Sequence, residues 1–143
     1  MEFFEFADVT TTPEEIVVRL SPDALPGFCD AIEAVEEEGE ADLVIYFLHW
    51  GRFHIRRELV MGGVRFSVPD CPNALAWTVT TGYPPCPEKI VVHATINRTG
   101  HNDEFLAAIG ALLTSLKAGL EEKLACRAAA ITPRALQIRD WRR

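Results

Sequence analysis

The spacing of apolar residues changes several times along the chain, and each change marks a new element. From Glu2 to Val9 a phenylalanine-rich stretch reads as a short strand. Thr10-Thr11-Thr12-Pro13-Glu14-Glu15 then signals a helix start: Thr12 can cap the free N–H groups, Pro13 suits the first helical position and Glu15 stands where a capping box places its acid. A short helix from Pro13 to about Leu20 follows. Ser21-Pro22-Asp23 is a second start signal, but Pro26 falls too deep for a regular first turn. The next helix is therefore expected from near Pro26 to Glu38, with Phe28, Ile32 and Val35 as its apolar stripe and Gly39 as its stop.

From Asp42 to Asn97 the period falls to two, and glycine marks the corners. Five successive strands are predicted: Leu43 to Trp50, Arg52 to Met61, Val64 to Val68, Ala74 to Thr81 and Lys89 to Asn97. A two-residue turn at Gly51-Arg52 would set Trp50 against Phe53, Leu48 against Ile55 and Tyr46 against Arg57. A Gly62-Gly63 turn would continue the same face through Leu59 and Phe66, leaving Arg57 as its one charged member away from the strand ends. After Arg98-Thr99-Gly100-His101 a long helix is expected, capped by Asn102. Its stripe of Phe105, Ile109, Leu112, Leu113, Leu116, Leu120 and Leu124 spans roughly 30 Å of helix and has to be covered.

At 143 residues, 48% hydrophobic and 24% charged, the composition fits one globular core. The expected organisation is a single domain over residues 1–130 and a basic C-terminal tail over 131–143. The formal net charge of −7 argues against nucleic acid as a partner. Acidic residues crowd Glu33 to Glu40 and arginines crowd the tail, from Arg134 to Arg143, so the tail is either a solvated end or a segment that docks on an acidic surface. No apolar run approaches the roughly 20 residues of a membrane span, and the opening Met-Glu-Phe-Phe-Glu-Phe lacks the basic start of a secretory signal. A cytoplasmic location is the expectation. The 4 cysteines lack metal-site spacing and are read as free thiols. His49 and His54 would be cross-strand neighbours on the outer face, with no convincing third ligand, so no metal and no cofactor are expected. His93 alternates with inward residues and should face outside, while His101 is read as a neighbour of the helix cap.

Two stretches carry a family likeness. Thr12-Pro13-Glu14-Glu15-Ile16-Val17-Val18-Arg19-Leu20-Ser21, followed by Leu25-Pro26-Gly27-Phe28, looks like the opening of the START and Bet v 1 superfamily, which includes polyketide cyclase-like proteins. Leu112-Leu113-Thr114-Ser115-Leu116-Lys117-Ala118-Gly119-Leu120-Glu121 looks like its closing helix. The resemblance implies an α+β helix-grip fold, a curved antiparallel sheet wrapped on a long C-terminal helix with two short helices after the first strand. It also implies an apolar ligand, lipid or polyketide-like, held between sheet and helix. The family usually has about six strands between its helices and five are predicted here, which leaves room for a missed strand.

A guanidinium facing such a cavity costs several kcal/mol unless it meets an acid, a carbonyl or water, which makes Arg57 the most informative residue. The ligand-binding set expected on this reading is Tyr46, Arg57, Phe66, Trp77, Phe105 and Ile109. Three functions stay open. The first is binding of an apolar small molecule. The second is a cyclase or dehydratase in which Arg57 polarises a carbonyl and Tyr46 or a histidine moves a proton. The third is a protein-interaction module with a filled core. The strand from Leu43 to His49 is apolar on both sides through Ile45 and Phe47, so its outer side calls for cover by the tail or by a second subunit, and a homodimer stays open.

Overall fold

The structure is a computed structural model that describes residues 1–97 and 103–138, with side chains through Leu124. The chain forms β1 (Glu2–Ala7), α1 (Pro13–Arg19), a 3-10 turn (Pro22–Ala24), α2 (Leu25–Phe28), β2 (Ile32–Glu38), β3 (Asp42–Phe47), β4 (Gly51–Val60), β5 (Gly63–Ser67), β6 (Ala76–Thr81), β7 (Ile90–Thr95) and α3 (Asp103–Ile138). All strand pairs are antiparallel, in the order β1-β7-β6-β5-β4-β3-β2. Strands β2 to β7 are thus a meander, and β1 closes the far edge beside β7. Among the described residues no helix is long and apolar enough to cross a membrane. The expected cap Asn102 and His101 lie outside the described residues, as do the side chains of Cys126 and of the basic stretch.

The helix expected from Pro26 to Glu38 is corrected. It ends at Phe28, and Ile32 begins a strand, which supplies the sixth strand between the helices. The cause is a β-bulge. Ile32 pairs with Phe47 whereas Val35 pairs with Ile45, so one extra residue is accommodated between Ile32 and Ala34. Both Ile32 and Val35 then face the concave side at a spacing of three, which imitates a helical stripe.

Strand β4 changes partner in its middle. Leu43 to Phe47 of β3 pair with Ile55 to Gly51, and Arg56 to Val60 pair with Ser67 to Gly63 of β5. The backbone N–H of His54, where β4 passes between its two partners, donates to the Asp70 carboxylate at 3.0 Å, and the His54 ring Nδ1 lies 2.9 Å from the same group. Desolvation by itself would raise the Asp70 pKa, but these bonds from the His54 ring and backbone outweigh it and hold the carboxyl below its ordinary value.

The core fills the space between the concave face and the helices. Ile109, Leu112, Leu113, Leu116, Leu120 and Leu124 of α3 are all buried. Each such burial is worth about 1.5–3 kcal/mol relative to exposure. At Gly119 the backbone of α3 meets the end of α2 so closely that a Cβ would stand 1.9 Å from the Phe28 carbonyl oxygen. Gly110, on the same helix, has open space around it.

Arg57 ties α1 to the sheet. It faces the concave side opposite Phe66. Its Nε donates to the Leu20 carbonyl at 3.0 Å and its Nη2 to the Val17 carbonyl. These are carbonyls of the last turn of α1, which the helix itself leaves unsatisfied, and a cation suits that negative end.

Gly119→Ala should lower unfolding stability by about 2–4 kcal/mol in urea titrations, because neither backbone can retreat cheaply. Gly110→Ala should raise it, by up to about 1 kcal/mol of helix propensity. Arg57→Met keeps the apolar stem and should cost about 2 kcal/mol through the lost carbonyl bonds, with the helical signal of α1 weakened first. A carboxyl with a depressed native pKa stabilises above its unfolded value of about 3.9 and loses that contribution as pH falls through the native one. Wild-type stability should therefore fall more steeply with acid below about pH 4 than that of Asp70→Asn, measured by urea midpoints across pH.

Candidate functional site

The β3–β4 connection decides where the candidate residues go. The turn does not sit on Gly51-Arg52. Phe47 pairs with Gly51, so Leu48, His49 and Trp50 form the loop, and Gly51 takes φ +84° at its end, a conformation glycine reaches without strain. Relative to the expected pairing the register moves by an odd number of residues, which exchanges the two faces of β3. Ile45 and Phe47 therefore point into the core. Tyr46 is corrected to the outer face, opposite Arg52 rather than Arg57. His49 and His54 are likewise no cross-strand pair: His49 is in the loop and His54 opposes Val44. No group of three or more potential metal ligands occurs among the described residues. His93 does lie on the outer face, stacked on Phe4 with ring centroids 4.4 Å apart and with its Nε2 2.7 Å from a Glu2 carboxylate oxygen.

Of the six expected ligand-binding residues the structure brings four to one apolar region between sheet and α3. Phe66 and Trp77 are cross-strand partners on β5 and β6, with rings stacked at 5.5 Å. Ile109 is fully buried and Phe105, one turn earlier on α3, is half-buried against the core. Arg57 shares the concave face, but its guanidinium is committed to α1 as described above. Tyr46 does not join them.

Two further aromatic side chains join them, Trp50 from the loop, which the sequence reading had on this face but not in the binding set, and Phe47 from the end of β3, which it had on the outer face. Trp50 packs on Phe105 at 5.7 Å and on Phe47 at 5.2 Å, and Phe47 meets Trp77 at 6.4 Å in an edge-on arrangement. Aromatic pairs in this range prefer such tilted geometries, because ring edges carry positive and ring faces negative charge density. The result is a continuous path of rings, Phe105 to Trp50 to Phe47 to Trp77 to Phe66, running from the surface to the centre of the core. At its outer end lies an open-sided cleft of about 550 Å³ lined by His49, Trp50, Glu104, Phe105, Ala107, Ala108 and Ala111. Alanines on the exposed side of α3 leave that space free. The signal that could have located it is Gly51: read as the residue that follows a three-residue loop, it throws Trp50 toward the start of α3.

The inner end of the path carries an anomaly. Trp77 is 1% exposed, and its indole Nε1 has no hydrogen-bond partner among the described residues. Among the described residues the two other buried polar atoms of this kind, Glu15 Oε2 and Arg19 Nη1, face each other in an ion pair at 3.6 Å.

No family model matches the sequence, and no curated protein matches it. Solved structures do. A START superfamily protein from Mycobacterium smegmatis aligns over 87% of this chain and 97% of its own, with a TM-score of 0.57 and 11% identity. The protein XoxI from Bacillus cereus aligns over 85% and 97%, at TM-score 0.55 and 15% identity. An uncharacterized protein from Bacillus thuringiensis aligns over 82% and 97%, at TM-score 0.55 and 13% identity. With seven antiparallel strands curved around a C-terminal helix, and two short helices after the first strand, the chain has the START/Bet v 1-like helix-grip fold.

Proposed function

We propose that this chain binds an apolar small molecule that enters between Trp50 and Phe105 and lodges at that end of the sheet–helix interface. The observation that carries the reading is the pairing of these two half-buried rings over an open cleft of about 550 Å³, a volume within the usual range of small-molecule sites. Behind them the lining is aromatic and aliphatic throughout, as an apolar ligand requires. The fold likeness supports the same class, since the superfamily it resembles holds apolar ligands between sheet and helix.

The site differs from the one expected around Arg57 and Tyr46. With the guanidinium spent on backbone carbonyls and the phenol on the outer face, a cyclase or dehydratase step built on that pair has no geometric support. The interior behind these rings is packed. A ligand therefore has to part the Trp50 and Phe105 rings, and both sit where this is cheap, one in a loop and the other in the first turn of α3.

Native mass spectrometry of the gently purified protein should show an extractable small-molecule adduct beside the bare mass. The protein should take up acetylnaphthalene saturably, and Trp50→Ala or Phe105→Ala should weaken that uptake about tenfold or more with circular dichroism unchanged. A bare mass together with no saturable uptake would overturn the proposal in favour of a solid core and an interaction role.

A further inference from the structure

Burying an N–H without an acceptor costs about 1–3 kcal/mol, and folded proteins almost always avoid it. Two other buried side chains of the core obey that rule. Thr81 Oγ1 donates to the Lys89 carbonyl at 2.9 Å, and Cys29 Sγ lies 3.6 Å from the Leu112 carbonyl oxygen. Trp77 does not. Its indole is enclosed by Phe66 and Phe47, and a ring face returns only a fraction of what an oxygen acceptor would give. Phenylalanine would fill much of this space without an unsatisfied donor. A donor buried at such a cost points to a bound partner that accepts from it.

The path of rings says how a ligand would reach it. Phe47 stands between the Trp50 gate and Trp77, and it is the last residue of β3, immediately before the loop that carries the gate. Displacing Trp50 removes one of the rings that hold Phe47, so the same movement that opens the mouth loosens the partition in front of Trp77.

We propose that Trp77 Nε1–H is the hydrogen-bond donor for the bound molecule, and that the ligand is consequently an apolar compound whose buried end bears an acceptor oxygen of the ketone or ester kind. The proposal rests on entry between Trp50 and Phe105. It names the polarity and orientation of the ligand: hydrocarbon body toward the cleft, oxygen inward. Alcohols and acids offer an oxygen too, but each brings a donor proton or a charge for which the apolar lining has no partner, and burying either is unfavourable.

The test uses the full chain, isotopically labelled with nitrogen, and two probes matched in shape, acetylnaphthalene with a carbonyl and ethylnaphthalene without one. Indole N–H signals are followed by nuclear magnetic resonance, and the Trp77 signal is assigned by its absence in Trp77→Phe or, should that variant not fold, by elimination with Trp50→Phe and Trp141→Phe. Equilibrium dialysis gives the two dissociation constants. The expected result is a downfield move of the Trp77 indole proton with the ketone alone, and an approximately tenfold loss of ketone-over-hydrocarbon preference in Trp77→Phe. If both probes bind and neither the proton nor the preference responds, the role of Trp77 is overturned and entry at Trp50 and Phe105 stands. If neither probe binds, the entry reading fails and takes this inference with it.

Discussion

The packing of the α3 leucine ridge into the concave side of the sheet is the contact on which the rest of the molecule depends. A seven-stranded antiparallel sheet with one solvated face has a second, apolar face that must be covered, and a helix this rich in leucine has a stripe with the same need. Each satisfies the other. The curvature that lets the sheet wrap a single helix is assisted at two places, the bulge at the start of β2 and the change of partner midway along β4. The helix in turn can lie deep because Gly119 lets it touch the end of α2 with bare backbone.

That arrangement gives the two ends of the interface different characters. One end is closed by α1, held down through its C-terminal carbonyls by Arg57, and is built for permanence. Among the described residues the other end is closed by side chains, Trp50 from a loop and Phe105 from the first turn of α3. Side-chain closure can be undone by rotamer changes, whereas undoing the α1 end would expose a cation and helix carbonyls together. The asymmetry is why the proposed entrance lies at the aromatic end, although the sequence had drawn attention to the cation.

Much of the fold was legible because its signals are local. The capping box at Thr12 and Glu15 marks the start of α1, and Thr12 Oγ1 accepts the Glu15 N–H at 3.1 Å as the sequence pattern requires. The long leucine stripe gave α3, and the period of two gave β3 to β7. Two errors have a common origin in departures from ideal period. A bulge makes Ile32 and Val35 of β2 look helical, and a three-residue loop before Gly51 displaces the β3–β4 register so that Tyr46 exchanges sides with Ile45 and Phe47. The partner of Arg57 was invisible for a different reason. Main-chain carbonyls leave no trace in residue identity, so a helix terminus acting as an acceptor cannot be distinguished in sequence from an acidic side chain or a ligand. The meeting of Trp50 with Phe105 joins residues far apart in the chain and needs the correct loop before it can be inferred at all.

The bulged strand β2 is also an edge of the sheet, and Glu36, Glu37 and Glu38 lie exposed along it. Open edges invite another chain to add a strand, which is a common route to dimers and to aggregates. A second copy docking there in antiparallel fashion would bring its own row of carboxylates against this one, at a spacing of about 5 Å where like charges repel strongly. Self-assembly by sheet extension is thereby discouraged along β2.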